Sequence, residues 1–298
     1  MSLSDCAACP RLCHVNRTAG KKGACLVSGE DVLLSRAALH FYEEPCISGT
    51  KGSGAVFFSG CNLQCVYCQN EKIRNASVGK PVSVQRLSEI FLELQEKGAH
   101  NINLVTPSHY PEQILAALTK AKENGLILPV VYNCSGYEGV GTLKMLRDAV
   151  DIYLTDFKYM DAALARDLSH AEDYPERAKE ALAEMAAQKP ACVFDENGLM
   201  KAGIIVRVLL LPGHVKNSQA VVRYIYETYG DSLYLSLMNQ YTPMKTFERF
   251  PELNRKVTKR EYGRLIQTAL DLGVEKAFIQ EGKTQEKSFI PDFDYEGI

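Results

Sequence analysis

No uninterrupted apolar run in the 298 residues approaches the roughly 18 that suggest a membrane span. The opening Met1-Ser2-Leu3-Ser4-Asp5-Cys6 also lacks the charged and apolar regions of a signal peptide. The expected location is therefore the cytoplasm, with no membrane partner. Neither sign of charge predominates: 34 Lys and Arg against 36 Asp and Glu leave a formal net charge of -2. Nothing global points to nucleic acid or an anionic surface. Repeats and low-complexity tracts are absent as well.

Against these absences stand ten cysteines, eight of them within the first 68 residues. Disulfide frameworks belong to short secreted chains, so metal or cluster ligation is the better account of this crowding.

From residue 55 onward, short β-branched or aromatic runs alternate with segments of helical period, the signature of βα units and a parallel sheet. Strands are expected at 55–59, 101–106, 128–133, 151–156, 203–211 and 232–237, with a weaker one at 276–280. Helices are expected near 86–97, 111–124, 141–149, 173–188, 216–229 and 257–272, and the stretch 159–173 reads as a loop. In the first helix Leu87, Ile90, Phe91 and Leu94 fall at i, i+3, i+4 and i+7 and share one face, and Gly98 stops it. The turn signal Asp195-Glu196-Asn197-Gly198 predicts a hairpin before the fifth strand. Residues 1–54 read as a small Cys-rich module packed on a barrel of residues 55–282, and 283–298 as a peripheral extension.

Directly after the first strand the chain reads Ser59-Gly60-Cys61-Asn62-Leu63-Gln64-Cys65-Val66-Tyr67-Cys68. Thiolates are the soft ligands of iron-sulfur clusters, and a 4Fe-4S cluster normally takes four of them. Cys61, Cys65 and Cys68 supply three, leaving one iron open, and an open position separates a catalytic metal centre from a closed structural one. A zinc knuckle is the competing account of three such cysteines, and zinc would want a fourth ligand close by.

The Cx3Cx2C pattern, with an aromatic residue before its last cysteine, resembles the radical S-adenosylmethionine (SAM) superfamily. The resemblance sharpens toward the activating enzymes of glycyl radical enzymes in Glu43-Glu44-Pro45-Cys46-Ile47-Ser48-Gly49, Phe57-Phe58-Ser59-Gly60-Cys61, Asn103-Leu104-Val105-Thr106-Pro107-Ser108-His109 and Asp156-Phe157-Lys158-Tyr159, and covers residues 6 to about 280. It implies a partial, open (β/α)6 barrel, an α/β fold, with SAM lying across the C-terminal ends of the strands. It also implies reductive cleavage of SAM by the cluster to methionine and a 5'-deoxyadenosyl radical that abstracts hydrogen.

The activating enzymes place Asp-x-Lys at the fourth strand. By that match Lys158 is expected to meet the SAM carboxylate, with Asp156 ordering it. Tyr67, Asn133, Ser135 and Arg207 are further candidate SAM contacts. The Gly-Gly-Glu of the activating enzymes is replaced here by Thr106-Pro107-Ser108-His109, so Thr106 or Ser108 with backbone carbonyls are expected to receive the SAM amino group. His109 is a candidate for substrate or ribose contact.

Cys6, Cys9, Cys13 and Cys25 form a separate Cx2Cx3Cx11C pattern that fits zinc or a second iron-sulfur cluster. No cysteine follows Cys192, so a C-terminal auxiliary-cluster domain is not expected. Cys46 and Cys192 read as small buried hydrophobes, whereas Cys134, at a strand tip, could face the site. A flavodoxin or ferredoxin is the expected electron donor. A glycine of a partner protein or peptide is the leading substrate, and a small metabolite is the alternative. A non-catalytic metal-binding module gripping nucleic acid is a weaker third reading, because Arg11, Arg17, Lys21 and Lys22 are the whole basic patch.

Overall fold

The computed structural model describes residues 3–280 and 291–298. Its elements run β1 (Val32–His40), α1 (Pro45–Ser48), β2 (Ser53–Phe58), α2 (Glu71–Arg74), β3 (Lys80–Val82), α3 (Val84–Glu96), β4 (Ile102–Val105), α4 (Pro111–Glu123), β5 (Val130–Cys134), α5 (Val140–Met145), β6 (Ile152–Asp156), α6 (Ala162–Ser169), α7 (Tyr174–Gln188), β7 (Val193–Phe194), β8 (Met200–Leu209), α8 (Val215–Tyr229), β9 (Tyr234–Met238), α9 (Lys259–Leu272) and β10 (Ala277–Ile279).

The strands lie in the order β10-β9-β8-β6-β5-β4-β2-β1-β3. From β2 to β10 every neighbouring pair is parallel, and among the described residues β10 pairs only with β9, so the sheet stays open. This is the open α/β architecture expected. β7 forms the anticipated hairpin with β8 across the turn at 195–198.

Two expectations are corrected. The boundary at residue 54 falls inside the sheet, because β1 pairs antiparallel with β2 and β3 with β1. The stretch 159–173 contains α6, capped by the Asp161 side chain accepting from the Leu164 amide at 3.0 Å. The region 281–290 of the expected barrel end and extension lies outside the described residues. Beyond it, Phe293 packs on Phe57, and Tyr295 and Glu296 hydrogen-bond to the β1 backbone.

Strand alternation sorts the parallel sheet into two faces. Val130, Tyr132, Tyr153, Ile204, Val206 and Val208 face the helices and join the main core, where α3 presents Leu87, Ile90, Phe91 and Leu94 as expected. On the opposite, inner face, Val131, Ile152, Leu154 and Ile205 pack with Cys46 and Ile47 of α1, which closes the bottom of the open barrel. Higher on this inner face the side chains become polar: Asn133 follows Val131, Asp156 follows Leu154, and Arg207 follows Ile205. That change from apolar to polar along each strand creates the site.

Candidate active site

At the C-terminal ends of the parallel strands lies a cavity of about 270 Å³. Cys61, Cys65 and Cys68 line one wall of it, and Lys158, Asp156 and Arg207 face it from β6, the loop after β6, and β8. Tyr67, Thr106, Asn133, Ser135 and Cys134 also line it, so most of the residues expected from the sequence meet around one space.

The cysteine loop is held by its neighbours more than by its own secondary structure. Ser169, the last residue of α6, donates to the Cys65 sulfur at 3.0 Å, and the Ser169, Tyr159 and Tyr67 hydroxyls form a relay with two steps of 2.7 Å. Arg74 of α2 donates to the Cys65 carbonyl, and Gln64 to that of Cys61. Burial pushes the Cys68 thiol up to about 11, with Cys65 adding to the rise, and the Cys61 thiol is raised for the same reasons. Metal ligation removes these protons outright.

Three thiols facing one cavity, Cys65 buried and Cys61 and Cys68 partly so, are a suitable donor set for an iron-sulfur cluster. No three His, Cys, Asp or Glu side chains among the described residues converge closely enough for a single metal ion. A cluster makes no such demand, since each of its cysteines binds a different iron.

Lys158 sits beside these thiols with its ammonium 2.5 Å from Asp156. Burial alone would lower its pKa, but Asp156 and Cys65 raise it above the ordinary lysine value, so the ammonium stays charged. Its backbone is pinned on both sides: the amide donates to Tyr174 at 2.9 Å and the carbonyl accepts from Asn217 at 2.8 Å. Tyr174 also donates to the Ser135 carbonyl at 2.7 Å, tying the β5 and β6 tips together. Gly136 makes this approach feasible, because a β-carbon there would lie 2.2 Å from the Asp156 carbonyl oxygen.

The floor carries a buried ion cluster. Arg207 grips Glu44 with Nε at 2.9 Å and Nη2 at 2.6 Å, and Nη2 also donates to Glu43. Glu43 in turn accepts from Asn103 at 2.9 Å and Asn133 at 3.3 Å. Burial alone would raise the Glu44 pKa, but the Arg207 charge overrides it and holds that carboxyl below its usual value. Arg207, expected as a SAM contact, is thus already engaged by two carboxylates that site reasoning from sequence did not assign.

Ser108 and His109 require a correction, since neither lines the cavity. Thr106 adopts a left-handed conformation, φ 62°, uncommon for a β-branched residue. The chain then turns at Pro107 into the protein, and Ser108 and His109 are both 1% exposed. His109 Nε2 bonds the Ser59 carbonyl at 2.9 Å, and burial depresses its pKa to about 3, which keeps the imidazole neutral. Ser108 donates to Glu138 at 2.7 Å, as does Tyr132 at 3.0 Å.

Glu138 yields a pH prediction. Burial raises its carboxyl from 4.5 to about 7. A carboxyl raised on folding contributes stability that is present below its unfolded pKa and lost as pH rises through its folded one. Between pH 4.5 and about 7 the protein should therefore lose on the order of 3 kcal/mol from this group. Denaturant melts across that window should show the slope, and Glu138→Gln should flatten it. An unchanged slope in the variant would assign the dependence elsewhere.

Residues 55–196 match the Radical SAM superfamily. The chain contains a radical SAM domain. This family is one of enzymes, and it implies a 4Fe-4S cluster and SAM, for which the thiol-lined cavity provides the donors. The chain is 27% identical over 279 residues to Uncharacterized protein MJ0674 of Methanocaldococcus jannaschii, covering 91% of this chain and 74% of that one. It is 30% identical over 111 residues to the pyruvate formate-lyase-activating enzyme of Clostridium pasteurianum, covering 36% of this chain and 45% of the enzyme. Among solved structures, methylornithine synthase (PylB) aligns with a TM-score of 0.52 at 18% identity, over 74% of this chain and 60% of that one. The chain thus spans under two thirds of the activating enzyme and of the synthase, and the synthase likeness concerns the fold alone. No helix among the described residues is long and apolar enough to cross a membrane.

Proposed function

We propose that this chain cleaves SAM reductively and directs the resulting radical at a carbon-bound hydrogen of a peptide or protein segment. The observation that carries the reading is the placement of Cys61, Cys65 and Cys68 on a cavity that also presents the Lys158 ammonium, held by Asp156. When bound, the cluster and SAM supply one-electron cleavage of the sulfonium to methionine and a 5'-deoxyadenosyl radical.

The residues of the chain bind and orient. Lys158 pairs with the SAM carboxylate, and Asp156 holds the ammonium in place for it. Ser135, whose buried hydroxyl has no partner, and Asn133 offer hydrogen bonds to the ribose or carboxylate. The left-handed Thr106 turn exposes backbone toward the amino group. Ser169, Tyr159 and Tyr67 hold Cys65 in register and exclude water behind the cluster loop. A flavodoxin or ferredoxin delivers the electron.

The peptide or protein substrate rests on the likeness to the activating enzyme, and the open sheet leaves a lateral path for an extended backbone. The polar floor favours a second reading, a small polar metabolite, because Glu43 and Arg207 both face the cavity. Deuterium transfer to 5'-deoxyadenosine separates the two. Labelled co-encoded proteins that pass deuterium and gain a glycine-centred radical doublet support the first. Transfer only from a labelled metabolite extract would overturn it in favour of the second.

Lys158→Ala should weaken SAM binding by about 1.5–3 kcal/mol, the cost of losing a charge-assisted bond, with cluster content unchanged. Calorimetric titration of SAM into the reconstituted variant reads this directly, and unaltered affinity would remove Lys158 from the SAM site.

A further inference from the structure

We propose that Cys6, Cys9, Cys13 and Cys25 hold a second iron-sulfur cluster, with Arg17 as its buried counter-charge. The chain folds into a cup around these four residues. Cys6 and His14 exchange backbone bonds with their surroundings, Cys6 N–H to Val15 at 3.1 Å and His14 N–H to Cys6 at 3.0 Å, and Leu12 N–H closes on the Cys9 carbonyl at 3.1 Å. Leu12 and His14 both take left-handed φ values, 42° and 52°, to make the bends. The Ala24 amide points at the Cys13 sulfur at 3.2 Å, the contact by which backbone N–H groups stabilise ligating sulfur. The four thiols are close enough for their charges to act on one another, Cys9 with Cys13 and Cys25, and Cys25 with Cys6. None is in a disulfide.

Arg17 is the independent observation. It is 0% exposed, Nη1 donates to the His109 carbonyl at 2.5 Å, and the guanidinium lies 5.2 Å from the Tyr110 ring centre. Among the described residues its Nε and Nη2 have no hydrogen-bond partner. A small void beside it is lined by Cys6 and also by Glu112, and its charge reaches Cys25. A buried cation is costly unless negative charge lies near it. Four thiolates on an oxidised 4Fe-4S core, itself doubly positive, leave two negative charges, one of which that cation offsets.

A cluster fits better than zinc. Zinc draws all its sulfurs to about 2.3 Å from one centre, and no three such ligands among the described residues converge in that way. In this the quartet matches the catalytic trio. The second site also braces the first. Arg11, between Cys9 and Cys13, donates to the Asn62, Ser169 and His170 carbonyls, and a β-carbon at Gly60 would lie 2.6 Å from the Cys25 carbonyl oxygen.

The test uses the full chain with Cys61, Cys65 and Cys68 replaced by Ala, so that any remaining cluster is the second one. After anaerobic reconstitution with iron and sulfide it should hold about four irons and four sulfides per chain, against about eight in the unmodified protein. Zinc without sulfide, or no metal in a protein whose circular dichroism matches the parent, would overturn the proposal. In the same background Arg17→Gln should speed iron loss to a chelator about tenfold and Arg17→Lys should not; equal rates in all three would remove Arg17 from the site. Changing Cys6, Cys9, Cys13 and Cys25 to Ser should leave the SAM-induced spectral change of the catalytic cluster in place. Loss of that change in a folded protein would move the catalytic cluster to the quartet and overturn the assignment.

Discussion

With Cys61, Cys65 and Cys68 all replaced by Ala, the reduced protein should form no 5'-deoxyadenosine from SAM. Thiolate is the only bond anchoring the catalytic cluster to the chain, and the other thiol lining the cavity, Cys134, is bonded to Thr155 at 3.3 Å and offers a single ligand in place of three. About four irons per chain should be lost with it. The fold should survive, because the loop is held from outside by Arg11, Arg74 and Ser169, two of which bind backbone carbonyls that alanine retains. Chromatographic assay of 5'-deoxyadenosine with iron counting checks both parts. Retained cleavage in the triple variant would place the chemistry elsewhere.

The second large effect concerns stability. Arg207→Ala should destabilise the protein by about 3–5 kcal/mol, since it strands the buried Glu43 and Glu44 carboxylates without their cation. Arg207 is 12% exposed, and Glu43 and Glu44 are 8% and 5% exposed, so solvent screens the cluster little. The partners can be separated by a cycle. Arg207→Met combined with Glu43→Gln and Glu44→Gln should be much closer to the parent than Arg207→Met alone, because the stranded charges are gone. Urea melts of the four proteins measure this. A loss below about 1 kcal/mol for Arg207→Ala would mean the pair is solvated as surface pairs are.

Much of this architecture is legible from local patterns. Alternating β-branched runs and helical periods mark the βα units because burial on both faces of a parallel strand is a local demand on sequence. The Cx3Cx2C loop is legible because ligand spacing is covalent. The Glu43, Glu44 and Arg207 cluster is not, since its partners are 163 residues apart and nothing local pairs them. The helix α6 was masked by short length, although Asp161 before Leu164 is a readable cap. Ser108 and His109 looked like cavity residues because they follow a strand tip, and only the left-handed Thr106 decides that they turn inward. Arg17 read as part of a basic surface patch; its burial arises from the fold of the module around it.

The most direct test of the account is electron-nuclear double resonance on the reduced protein with SAM labelled at its amino nitrogen and carboxylate oxygens. The account predicts hyperfine coupling from both labels to the cluster held by Cys61, Cys65 and Cys68, showing SAM bound at the open iron. A cluster that is present and reduced but shows coupling to neither label would contradict it.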